Sequence, residues 1–121
     1  MGFLHEHKLS LEKDFQAVMQ GGKTIVFYPL RFSFVLEKSE TTNFQVAISV
    51  PKKRFHVAVD RNLEKRRIRE CIRATYSAEN FENLSLKMLI VYLDSNHHKQ
   101  IELQPLVAEA FKKIQQYAKN L

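Results

Sequence analysis

The chain has 121 residues, 45% hydrophobic and 26% charged, so one domain over residues 1–121 is expected, long enough to bury a core without metals or disulfides. A formal net charge of +6 points to an anionic partner, a nucleic acid or a membrane surface. The lone Cys71 excludes an intrachain disulfide, no apolar run approaches the roughly 20 residues of a membrane helix, and Met1 to Lys13 carries no secretion-signal stretch, so a cytoplasmic protein with no membrane partner is expected.

A helix is predicted over residues 10–20, where Leu11, Phe15, Val18 and Met19 recur on one face, with Ser10 as its cap and Gly21-Gly22 as its stop. Residues 25–37 read as one strand, since Leu30, Phe32, Phe34 and Leu36 alternate with Arg31, Ser33, Val35 and Glu37. After a polar turn at 39–43, residues 44–50 read as a second strand that forms an antiparallel hairpin with the first and ends at Pro51. A basic connector follows, then a helix over 60–76 with Asp60 as its cap. Residues 86–93, apolar apart from Lys87, suit a central strand. Asn96-His97-His98 reads as a loop. The last helix, over 103–118, has Pro105 in its first turn and a broad apolar stripe. The order α-β-β-α-β-α predicts a small two-layer α/β sandwich of the α+β class.

The charge is concentrated. Between Lys52 and Arg73 stand nine basic and three acidic residues, which account for the whole net charge and leave the remainder neutral. On a wheel of residues 61–76, Ile68, Cys71, Ile72 and Thr75 share the side that docks on the core. Asn62, Lys65, Arg66, Arg69 and Arg73 share an adjacent side. The four cations among these span about 12 Å at 1.5 Å rise per residue, a scale comparable with phosphate spacing along a strand. Arginine forks bind phosphate bidentately, and a rigid array reduces the ordering cost of binding. A merely solvated, salt-bridged face is the competing reading. Against it, Glu70 is expected to project away from Arg69 and Arg73 and to leave the stripe unneutralised.

Groups for chemistry in the protein itself are sparse. Cys71 reads as a small buried hydrophobe rather than a nucleophile. The pairs His5/His7 and His97/His98 have no Cys or carboxylate partner at metal-ligand spacing. His56 reads as a plain surface histidine or an RNA contact. Nothing resembles a two-metal carboxylate cluster or a Gly-rich phosphate loop, so no catalytic residue, metal site or cofactor is assigned to the protein.

The stretch from Ile48 to Arg73, ISVPKKRFHVAVDRNLEKRRIRECIR, resembles the central signature of the bacterial ribonuclease P protein component. The matching elements are Ser49-Val50, Lys52-Lys53, Arg61-Asn62, Lys65-Arg66 and Arg69-Glu70, and the segment from Leu9 to Lys23 is similar to the family's first helix. The sequence departs from the pattern at Leu63, where arginine is usual, and at Ala47, Pro51 and Met19.

The resemblance implies an α/β sandwich with a left-handed βαβ crossover. It also implies a subunit that binds the catalytic RNA of ribonuclease P and the 5′ leader of precursor tRNA during endonucleolytic 5′ maturation of tRNA. The RNA subunit would hold the Mg2+ ions and perform the hydrolysis. Lys52, Lys53, Arg61, Asn62, Lys65, Arg66, Arg69 and Arg73 would face the ribozyme RNA. Phe15, Met19, Ser33 and Ser49 would line the leader cleft, with core packing the alternative for Phe15 and Met19. Two other functions stay open on the residues alone: a general RNA- or DNA-binding module, and a protein-only nuclease.

Overall fold

The structure, a computed structural model, describes residues 21–121. The helix expected at 10–20, with Phe15 and Met19, lies outside them. The described residues form four strands and two α-helices: β1 (Lys23–Phe27), β2 (Leu30–Lys38), β3 (Asn43–Ser49), α1 (Ala58–Thr75), β4 (Leu84–Tyr92) and α2 (Gln100–Ala118). A short 3-10 turn, Ala78–Phe81, precedes β4.

The strand expected at 25–37 is two strands. A tight turn at Tyr28-Pro29, whose peptide bond is cis, folds β1 back onto β2, with Ile25 opposite Phe32 and Phe27 opposite Leu30. Apolar alternation runs on through both strands, but Pro29 has no N–H to give a ladder and marks the break.

The predicted hairpin between the strands at 25–37 and 44–50 is also corrected. The sheet order is β1-β2-β4-β3, so β4 lies between β2 and β3, antiparallel to the first and parallel to the second. β4 is apolar on both faces. Met88 and Ile90 are buried on one, while Leu89 is buried on the other beside Val35, Ala47 and Val91. A strand of that kind is least costly at the centre of a sheet. The polar segment 39–42 therefore spans the start of β4 instead of closing a hairpin. Ser39 N–H donates to the Asn83 carbonyl (3.0 Å) and Asn83 N–H donates to Thr42 Oγ1 (3.1 Å). Asn83 sits at φ 59°, a left-handed conformation that asparagine tolerates well. Parallel β3 and β4 are joined through α1, a βαβ unit.

Both helices bury their apolar faces on one side of the sheet. Ile68, Cys71 and Ile72 of α1 and Leu103, Val107, Ala110, Phe111 and Ile114 of α2 meet Phe32, Phe34, Phe44, Met88 and Ile90 in one core. An aromatic chain closes one end of it. Phe44 stacks on Tyr76 at 4.3 Å, Tyr76 on Phe81 at 5.7 Å, and Phe81 meets Phe111 edge-on at 6.0 Å.

α1 begins at Ala58, and Val57, not Asp60, is its N-cap; Asp60 lies in the first turn. α2 begins at Gln100, where Lys99 N–H donates to Glu102 Oε1 (3.0 Å), so Pro105 lies in the second turn and not the first. The bond that Pro105 cannot make belongs to the carbonyl of Ile101, on an exposed stretch where water can serve it. Among the described residues, no helix is long and apolar enough to cross a membrane.

Candidate nucleic-acid interface

The segment between β3 and α1 is held down at two residues and exposed between them. Val50 and Phe55 are buried, while Lys52 and Lys53 stand in solvent on a turn closed by Arg54 N–H donating to the Pro51 carbonyl (2.9 Å). Phe55 packs against Tyr92 at 5.7 Å and stacks on His97 at 4.5 Å. Arg61 donates from one guanidinium nitrogen to the carbonyls of Phe55 (2.9 Å) and His56 (3.0 Å), which clips this turn to the start of α1. Arg61 therefore carries a structural duty alongside any contact with a ligand.

α1 presents the cationic row that its periodicity predicts. Asn62, Arg66 and Arg73 are exposed and Lys65 and Arg69 half-buried, with Ile68, Cys71 and Ile72 fully covered beneath them. Among the described residues, Lys65, Arg66 and Arg69 have no carboxylate partner. One expectation changes: Glu70 does reach the row, with Oε1 3.8 Å from Arg73 Nε. Both side chains are about half exposed, so this pair holds Arg73 only weakly.

The internal ion pair belongs to Arg67 instead. Glu64 is fully buried, and its Oε2 accepts from Arg67 (3.0 Å) and faces His97 Nδ1. Arg67 also donates to the His98 carbonyl (2.8 Å). His97 Nε2 lies 3.4 Å from Asp60, and His98 lies 2.7 Å from Asp94 and 3.4 Å from Glu102. The two histidines thus meet carboxylates in ion pairs: Asp60 and Glu64 reach His97 from α1, remote in sequence, while Asp94 and Glu102 stand four residues either side of His98. The His98 hydrogen bond, helped by the backbone N–H groups of Asn96 and Ser95, holds the Asp94 carboxyl below its usual range. Burial, with the charges of Glu64 and Asp94, raises the Tyr92 phenol, whose O–H donates to the Asn96 carbonyl (2.6 Å). The network fastens the loop after β4 to the underside of α1 and so fixes which way the cations point. Among the described residues, no group of His, Cys, Asp and Glu has the arrangement to hold a metal ion.

Cys71 lies on the buried side of α1, its Sγ 3.7 Å from the Gln100 carbonyl. Burial first, and the charge of Glu70 second, push its thiol up to about 11. Relative to an ordinary thiol, that leaves roughly a hundredfold less thiolate at pH 8. Alkylation of the native protein at pH 8 is accordingly expected to be at least ~10²-fold slower than after unfolding in urea. Equal rates in the two states would contradict the buried placement.

The two serines expected in a leader cleft lie on the sheet face opposite the helices. Ser33 pairs with Leu89 of β4 and Ser49 with Val91, so β4 separates them. Ser33 is buried, its hydroxyl 3.5 Å from that of Thr24, and Ser49 is half-buried. The structure thus aligns the cations along α1, clips the turn that carries the exposed lysine pair to the start of that helix through Arg61, and leaves Ser33 and Ser49 on the sheet face opposite the helices. Sequence reasoning missed Glu64 as the inner anchor. Its position four residues before Ile68 on the wheel was the available signal.

Residues 3–115 match a protein-family model described as Ribonuclease P. The ribonuclease P protein component of Lactobacillus helveticus is 42% identical over 69 residues, covering 54% of this chain and 53% of that protein. That of Porphyromonas gingivalis is 37% identical over 73 residues, covering 60% and 53%. The chain spans about half the length of these curated relatives. Among solved structures, the Staphylococcus aureus RNase P protein superposes with a TM-score of 0.71 at 21% identity, over 89% of this chain and 94% of that one. The RNase P protein of Thermotoga maritima gives 0.55 at 19% identity, over 94% and 93%. At such identities the structural likeness speaks for the fold.

Proposed function

The chain belongs to the ribonuclease P protein family, and from that premise we propose that it is the protein subunit of a ribonuclease P, binding the catalytic RNA through α1 and the Lys52-Lys53 turn. The observation that carries this reading is the row Lys65, Arg66 and Arg69, without carboxylate partners among the described residues, above a buried apolar underside. Side chains free of internal ion pairs keep their charge for phosphates, and α1 delivers them already aligned. Asn62 adds an amide that donates and accepts on the same surface. Lys52, Lys53, Arg61 and Arg73 extend it on either side.

The 5′ leader of precursor tRNA is assigned to the opposite sheet face with Ser33 and Ser49, together with Phe15 and Met19 from the N-terminal segment. Hydrolysis and its Mg2+ ions are assigned to the RNA subunit. The protein's part is electrostatic: its cations offset the repulsion between two folded RNAs and lower the magnesium needed for them to meet.

The test is cleavage of precursor tRNA by ribonuclease P RNA at low magnesium, with and without the purified protein. Stimulation of correct 5′ cleavage by tenfold or more is expected, in line with a barrier change of about 1.4 kcal/mol. No stimulation would leave only general nucleic-acid binding and would overturn the proposal. Cleavage by the protein and magnesium without the RNA would move catalysis into the protein.

A further inference from the structure

The exposed side of α1 is not lined by charge alone. Val59, 72% exposed, and Leu63, half-buried, stand one turn apart immediately beside the cationic row. With Asn62, Arg66 and Arg69 they line a shallow groove of about 520 Å³. On the helix wheel Arg66 falls between the apolar pair on one side and Asn62 with Arg69 on the other, so one ligand can touch all three chemistries at once.

A paired RNA stem offers this groove mainly phosphates and 2′-hydroxyls, which would satisfy the arginines and leave the valine and leucine against water. A nucleotide with an exposed base face offers all three partners: phosphates for Arg66 and Arg69, a hydrogen-bonding edge for Asn62, and a flat apolar surface for Val59 and Leu63. We propose that Val59 and Leu63 form an apolar seat for one unpaired nucleotide of the RNA, whose flanking phosphates lie on Arg66 and Arg69. This rests on the reading of α1 as the face that binds ribonuclease P RNA, and it adds a contact that is insensitive to salt.

Charge contacts and apolar contacts separate in a salt series. Counterion release sets the slope of log affinity against log salt, whereas apolar burial shifts affinity equally at every salt concentration. Val59→Ser/Leu63→Ser is expected to weaken binding of a ribonuclease P RNA transcript about tenfold at every salt concentration with the slope unchanged. Leu63→Ile should retain affinity, and binding to a fully paired RNA duplex should not respond to either change. The exposure of Val59 lets the serine variants fold, which an unaltered thermal melt confirms.

Unchanged affinity of the double variant, with Arg66→Ala still weakened, would overturn the apolar seat and leave the RNA-binding reading standing. An equal loss on the duplex would overturn the unpaired nucleotide as occupant. Arg66→Ala binding as tightly as the unaltered protein would remove the reading on which the seat rests.

Discussion

Replacing both Arg66 and Arg69 with alanine is expected to weaken binding to ribonuclease P RNA about a hundredfold at moderate salt, while leaving folding stability within about 0.5 kcal/mol. Neither side chain holds a carboxylate among the described residues, so truncating them breaks no internal ion pair. A hydrogen bond to a charged group contributes about 1.5 kcal/mol, close to tenfold in affinity, and two such contacts on one rigid helix give the product. The signature is in the salt dependence. Each lost phosphate contact should lower the log–log slope by about 0.7 on single-stranded RNA to 0.9 on a duplex, hence about 1.4 to 1.8 for the pair. Lysine at the same positions should hold the slope and recover only part of the affinity, because an ammonium keeps the charge and loses the planar fork. A double alanine variant with an unchanged slope would remove these residues from the interface.

The residues that made the fold legible from sequence are those whose burial is set by local periodicity. Ile68, Cys71 and Ile72 marked the underside of α1, and Leu103, Val107, Phe111 and Ile114 that of α2, because a helix repeats its own geometry whatever surrounds it. The sheet was less legible because pairing is not local. Two readings of the sequence were in conflict, a hairpin between the flanking strands and a central place for the strand around Met88 and Ile90, and they cannot both hold in the three-stranded sheet that the sequence predicts. The fold settles the conflict in favour of burial: β4, apolar on both faces, takes the centre, and the four-residue link at 39–42 spans its end. Pro29 was the one local mark of the extra turn, and the alternation on either side masked it.

The interface divides in the same way. That Arg66 and Arg69 face outward follows from the wheel. That Arg67 faces inward depends on Glu64 and on the His98 carbonyl, thirty-one residues further along the chain. His97 belongs to this non-local class as well. Its carboxylate partners Asp60 and Glu64 come from α1, and no spacing in the sequence announces them, whereas Asp94 and Glu102 stand four residues either side of His98.

That inner network supports the second large effect. Glu64→Ala should destabilise the protein by about 3 kcal/mol, the lower end of what breaking a buried ion pair costs. The carboxylate is fully buried, and its Oε2 serves both Arg67 and His97 while Oε1 has no hydrogen-bond partner. Removing it leaves the Arg67 guanidinium, among the described residues, with only the His98 carbonyl and opens space between α1 and the loop after β4. The loss stays at the lower end because the Arg67 side chain is 25% exposed, so water can reach it.

Urea unfolding monitored by circular dichroism measures the change as a lower midpoint at constant m. Glu64→Gln, which keeps the shape and one acceptor, should cost about half as much. Glu64→Leu/Arg67→Met, which removes both charges and fills the volume, should recover most of the stability. A Glu64→Ala midpoint equal to that of the unaltered protein would show that Arg67 is held without it. Arg66→Ala and Arg67→Ala then make a decisive contrast between neighbours on one helix. The first should move the salt slope of RNA binding and spare stability, and the second should lower stability and spare the slope, because only Arg67 spends its charge inside the protein.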